Sequence, residues 1–185
     1  MNSIEIMVEE HKYIKRMIKV IRQVSLDIMD KKEVDYDDFD LIIDFVRNFA
    51  DKHHHGKEEK FLFDEMKNHL GPVGDKLITN GMLVEHDLGR LYMTDASEAL
   101  AKVKEGNEES KLDLIANVMA YGYLLTRHIE KEDTIVYTFA EKHLPEEVMA
   151  QVNDDSKKFE EEAKAKGTQK YYIDLLEKLE KKYLG

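Results

Sequence analysis

His54-His55-Gly56-Lys57-Glu58-Glu59-Lys60-Phe61-Leu62-Phe63 is echoed by His128-Ile129-Glu130-Lys131-Glu132-Asp133-Thr134-Ile135-Val136-Tyr137. Both stretches read histidine, three residues, glutamate, a second acid, three residues, aromatic. On an α-helix, positions i and i+4 lie about 40° apart and one turn along. The imidazole and the carboxylate of each stretch therefore point the same way and can grip one cation together. Two such turns on separate helices can face each other across a bundle.

The surrounding sequence supplies the helices. Breaks fall at 30–35, at Gly71-Pro72-Val73-Gly74, at Glu105-Gly106-Asn107-Glu108, at Leu144-Pro145 and at Gly167-Thr168. The segments between them carry apolar residues at steps of three and four. The first has Ile4, Met7, Ile14, Ile18 and Ile21; the second Phe39, Ile43, Val46, Ala50, then Phe61, Leu62 and Met66. The third has Ile78, Met82, Leu83, Met93, Ala96 and Leu100; the fourth Tyr121, Leu124, Leu125, Ile135, Val136 and Phe139. Four long amphipathic segments with short connections predict an all-α, up-down-up-down four-helix bundle over residues 1–145. Residues 146–185 read as a C-terminal appendage of one or two helices, packed on the bundle, on a partner or on a second copy. Its stretch 153–170 is largely charged, and Leu175, Leu176, Leu179 and Tyr183 form a weaker stripe.

Histidines stand where this pattern calls for leucines. His11 falls between Met7 and Ile14, and His86 follows Met82 by one turn. In the second helix Val46 and Ala50 precede His54 by two turns and one, whereas Arg47, Asn48, Asp51 and Lys52 precede His55. That flank selects His54 and Glu58 as the inward pair and puts His55 and Glu59 on the solvent face. His53 has Lys57 four residues on and can at most support a ligand. His69 and His143 lie near helix ends, where a capping or surface role is expected. His11, His54, Glu58, His86, His128 and Glu132 are thus the expected metal ligands. Buried imidazoles need partners. Four imidazoles and two carboxylates exceed what one zinc takes and suit two first-row metals bridged by the carboxylates. Nitrogen and oxygen donors without sulfur favour iron or manganese over copper(I).

Composition removes most alternatives. With 28 basic and 39 acidic side chains, the formal charge of −11 repels phosphate backbones and anionic membranes. Cysteine is absent, which excludes disulfides, thiolate catalysis and cysteine-ligated clusters. The start lacks a basic segment followed by an apolar run, and no 18-residue apolar window exists, so a cytoplasmic protein is expected. Ferritin-like Glu-x-x-His turns and the His-Glu-x-x-His of zinc peptidases do not occur.

The chain resembles the hemerythrin-like (HHE cation-binding) family over roughly residues 1–145. The resemblance rests on Glu10-His11, His54-His55-Gly56-Lys57-Glu58-Glu59 with Leu62-Phe63, Glu85-His86 and His128-Ile129-Glu130-Lys131-Glu132-Asp133. It implies a bundle enclosing two non-haem irons, carboxylate-bridged and often oxo- or hydroxo-bridged as well. Oxygen-carrying members place a second histidine four residues before the one on the third helix; here Met82 stands there. One metal is therefore expected to lack a nitrogen. Carriers also use an Asp five residues after the fourth-helix histidine, where Asp133 stands; Glu132 matches the internal repeat. The pattern looks more like the branch linked to oxidative or nitrosative stress. The functions it implies are binding or reduction of dioxygen, nitric oxide or peroxide, or, alternatively, iron sensing or donation for iron–sulfur repair without turnover.

Overall fold

Asn2 starts the first helix by reciprocal capping: its side chain accepts from the Glu5 amide, and Glu5 accepts from the Asn2 amide. From there the computed structural model describes residues 1–185 as six helices without a strand. Helix α1 is Ser3–Met29. Helix α2 runs over 37–69, α3 over 71–104 and α4 over 110–143, each a succession of α and π turns. Helices α5 (Glu146–Ala165) and α6 (Thr168–Tyr183) follow. Between α2 and α3 the chain turns at Gly71, which has φ +60°; a side chain at Gly74 would collide with Leu70 and the Met66 carbonyl, both 2.6 Å away. These are the glycines that the sequence places beside Pro72.

Helices α1 and α3 each pack against α2 and α4, which closes the expected four-helix ring. The interior is not one continuous apolar core. A large cluster holds Ile14, Val20, Phe45, Ala50, Met93, Leu125 and Ile129; a smaller one holds Ile4, Met7, Leu62, Phe63, Met82 and Val136. Between them lies a polar layer. His11 separates Met7 from Ile14, and His128 separates Leu125 from Val136. Each bundle helix thus changes from apolar to polar and back at the same height.

The π turns lie next to that height: Val46–His55 and Glu58–Phe63 in α2, Ile78–Met82 in α3 and Glu132–Val136 in α4. A π turn takes about one residue more than an α turn, because its hydrogen bonds run from i to i+5. Residues four and five after a core position then flank that position's direction, rather than one facing in and the other out. This geometry is absent from a reading based on 3.6 residues per turn.

The C-terminal pair is built onto the bundle. Ser3 and Ser156 hydroxyls meet at 2.7 Å, and Asn153 accepts from the Ser3 amide, which ties α5 to the start of α1. Gly167, at φ +72°, reverses the chain. Helix α6 then lays Tyr172, Leu175, Leu176 and Leu179 into the large cluster. Arg16 holds Glu180 with two hydrogen bonds, at 2.6 and 2.9 Å. No helix is long and apolar enough to cross a membrane. Because Leu176 is fully buried in that cluster, Leu176→Ala is expected to cost about 2–5 kcal/mol in denaturant unfolding. Leu112→Ala, on an exposed side chain, is expected to stay within about 0.5 kcal/mol.

Candidate metal centre

All six residues singled out by the sequence converge in the polar layer. His11, His54, Glu58, His86, His128 and Glu132 are each at most 1% exposed. One oxygen of Glu132 lies 3.0 Å from His128 Nε2 and the other 3.3 Å from His11 Nε2. Glu58 Oε2 lies 3.6 Å from His86 Nε2 and 3.8 Å from His54 Nε2. The two carboxylates therefore stand between the imidazoles, each within reach of more than one.

The structure corrects the expected position of His55. It is not on the solvent face; it is 4% exposed and stacks on His86 with ring centroids 3.8 Å apart. The π turns of α2 cause this: His54 and His55, four and five residues after buried Ala50, both turn inward. His55 thereby brings to the layer a buried imidazole beyond the four expected. Met82 packs in the smaller apolar cluster, and the additional imidazole comes from the second helix instead of the third. Within the layer, two groups of mutually close donors result: His55, Glu58, His86 and His128, and His11, His54, Glu58 and Glu132. Glu58 belongs to both.

Each histidine of the original set is fixed from behind. The Nδ1–H groups of His11, His54, His86 and His128 donate to Asp133 (2.6 Å), Glu10 (2.8 Å), Glu59 (2.7 Å) and Glu85 (2.8 Å). This leaves their Nε2 atoms facing the centre and sets the tautomer that a metal needs. The pairing crosses helices. In Glu10-His11 and Glu85-His86, each glutamate orients a histidine of another helix, not its sequence neighbour. Asp133 is occupied by His11 and Lys15, so Glu132 is the inward acid. His69 and His143 are exposed, away from the layer.

The interior faces of these groups are short of partners. His11 Nε2, both His55 nitrogens, Glu58 Oε2 and both Glu132 oxygens are buried without a hydrogen bond. Asp51 Oδ1 lies 3.4 Å from His55 Nδ1. Each unmet buried group costs roughly 1–3 kcal/mol. His86 Nε2 and His128 Nε2 meet at 3.0 Å, so with both Nδ1 atoms protonated one Nε2 must carry a proton as well. Burial opposes that charge, but Glu132 and Glu85 outweigh it and raise His128 to about 9. Burial, and then the charge of Glu132, push Glu58 well above the carboxylate range. Burial and His11 lower His54 to about 4. Protons thus balance part of the charge, and a cation entering the layer displaces them. The donor set and its orphaned atoms fit divalent metal ions.

Two further features were not legible as site features in the sequence. Tyr137, the aromatic residue of the fourth-helix repeat, donates to Glu58 Oε1 at 2.5 Å and stacks on His11. A cavity of about 250 Å³, lined by Gly89, Arg90, Met93 and the unpartnered Tyr121 hydroxyl, reaches His55 and His86. Losing the buried Tyr137 donor in Tyr137→Phe is expected to cost about 1–3 kcal/mol in denaturant unfolding. Tyr171→Phe, at an exposed ring, serves as the control, with a change under about 0.5 kcal/mol.

The family comparison agrees with this geometry. The sequence model of the hemerythrin HHE cation binding domain matches residues 2–140, which span all four bundle helices. Neither a curated protein nor a solved structure matches the chain. The bundle, its buried layer of histidines and glutamates and this match together place the chain in the hemerythrin HHE cation-binding domain family.

Proposed function

We propose that the layer holds two non-haem irons and that a small ligand, dioxygen, nitric oxide or peroxide, binds or is reduced there. The carrying observation is the division of the buried donors into two groups that share Glu58. Glu132 reaches His11 with one oxygen and His128 with the other, so both carboxylates are placed to bridge. One metal would take His55, His86 and His128; the other would take His11 and His54. The second would be poorer by one nitrogen, so its coordination would be left incomplete for an exogenous ligand. Iron supplies the electrons when bound. The chain supplies a fixed set of nitrogen and oxygen donors, apolar plugs above and below that exclude bulk water, and a cavity that reaches the layer at His55 and His86.

The tethers behind the histidines favour a resident metal over a donated one. Asp133, Glu59 and Glu85 are held by Lys15, Arg90 and Lys131, and Glu10 by Lys57. Outer partners of this kind typically change metal affinity 10–100-fold when removed.

Metal analysis of the purified chain after anaerobic loading with ferrous iron is expected to give two irons per chain. His55→Ala is expected to lose about one of them while the fold is retained, which distinguishes the inward His55 from a surface histidine. One tightly held zinc and no iron, or an unchanged metal content in His55→Ala, contradicts the assignment. Saturating iron is also expected to raise thermal stability, since it binds only the folded layer; at a hundredfold excess over Kd this amounts to about 2.7 kcal/mol. Equal melting of the loaded and metal-free protein contradicts it. The ligand is identified by exposing the reduced, loaded protein separately to dioxygen, nitric oxide and peroxide and following absorption and turnover.

A further inference from the structure

Lys57 differs from the other cations that brace the layer. Lys15, Arg90 and Lys131 have side chains 38–45% exposed, so water solvates much of their charge. The Lys57 side chain is 1% exposed. A buried ammonium needs nearby counter-charge, and Lys57 has two sources. Glu10 comes from α1, within the bundle, and Glu160 comes from α5, beyond the residues the family model covers.

The bonds around Lys57 form a continuous series. Gln169 of α6 donates to Glu160 Oε2 at 2.6 Å, while Lys57 bonds Glu160 Oε1. Lys57 also bonds Glu10 Oε1, and His53 Nε2 stands beside it between the two carboxylates, 2.9 Å from Glu10 Oε1 and 3.3 Å from Glu160 Oε1. The other oxygen of Glu10 takes the Nδ1–H of His54. The series starts on the C-terminal helices and ends on a histidine of the centre. The remaining three tethers close within residues 11–133 and involve neither C-terminal helix.

We infer that Glu160 is a positioning residue for the centre: through Lys57 and Glu10 it sets how firmly His54 is held toward the metal, so docking of the C-terminal helix pair and metal occupancy are coupled. This rests on the function proposed above. Without the Glu160 charge, Lys57 draws on Glu10 alone, which leaves Glu10 less able to polarise His54. One negative charge is also lost close to a cation site. Both effects weaken metal binding, and the loss of charge favours the reduced over the oxidised metal. Coupling of this kind is reciprocal, so metal must in turn stabilise the seating of α5.

The test uses the full chain and the variant Glu160→Gln, which keeps the side-chain shape and an acceptor for Lys57. Ferrous iron release to an excess of chelator is expected to be several-fold faster, and the midpoint potential of the loaded protein higher, than in the unaltered chain. Glu180→Gln, which removes a comparable negative charge from α6 while Tyr172, Leu175, Leu176 and Leu179 keep that helix seated, does not touch Lys57 and is expected to leave both unchanged. In a Lys57→Met background, Glu160→Gln is expected to have a smaller effect than in the unaltered chain, what remains passing through His53. Amide exchange in α5 is expected to slow on metal loading in the unaltered chain and to respond less in Glu160→Gln. If that background does not fold, the release rate, potential and exchange of the single variant still decide. An unaltered chain that takes up no iron overturns the functional reading and, with it, this inference. An unaltered chain that loads two irons, beside a Glu160→Gln protein with the same release rate and potential and an α5 indifferent to metal, overturns only the coupling.

Discussion

A layer of imidazoles and carboxylates buried across the middle of an apolar bundle is the constraint on which the rest of the structure depends. Apolar side chains in those positions would join the two hydrophobic clusters into one core at no desolvation cost. Instead Glu58 and Glu132, both fully buried, face each other among imidazoles, and several of their atoms have no partner. Such a layer is tolerable only if protons or cations balance it. In the metal-free layer, Glu58 is driven toward its protonated form and His128 toward its cation. Bound metal would replace those protons and give the orphaned atoms their ligand bonds. Binding energy would then also be folding energy.

The constraint reaches outward in steps. A buried imidazole presents the correct nitrogen only if the other is held, so carboxylates stand behind His11, His54, His86 and His128. Those carboxylates need cations, and three of the cations sit at the surface. Because most of the links cross between helices, the ring also fixes the relative rotation and height of the four helices. The site is therefore not a set of ligands placed on a finished scaffold; its tethers are part of what specifies the bundle.

Much of this was legible in the sequence, for a definite reason. His11, His54, His86 and His128 stand out because they interrupt apolar stripes of period 3.6, and Glu58 and Glu132 follow by the i, i+4 rule. His55 was placed outside because that rule assumes α geometry throughout; the π turns of α2 bring in a second residue from the same stretch, and no local residue pattern announces them. Glu85 could be seen beside His86 but not its actual partner, His128, since that depends on helix packing. Lys57 was hidden for a similar reason. An α-helical reading puts it among solvated charges, whereas in the fold it is buried between Glu10 of α1 and Glu160 of α5. The highly charged stretch 153–170 gave no sign that Glu160 turns inward from it.

The central claim is that the layer holds two metals between shared carboxylates. Anomalous diffraction at the iron edge from crystals of the loaded full-length chain tests it most directly. Two peaks about 3.5–4 Å apart are predicted, one bounded by His55, His86 and His128, the other by His11 and His54, with Glu58 and Glu132 between them. A single peak, or iron bound only at surface acids with the layer unchanged, would contradict the account.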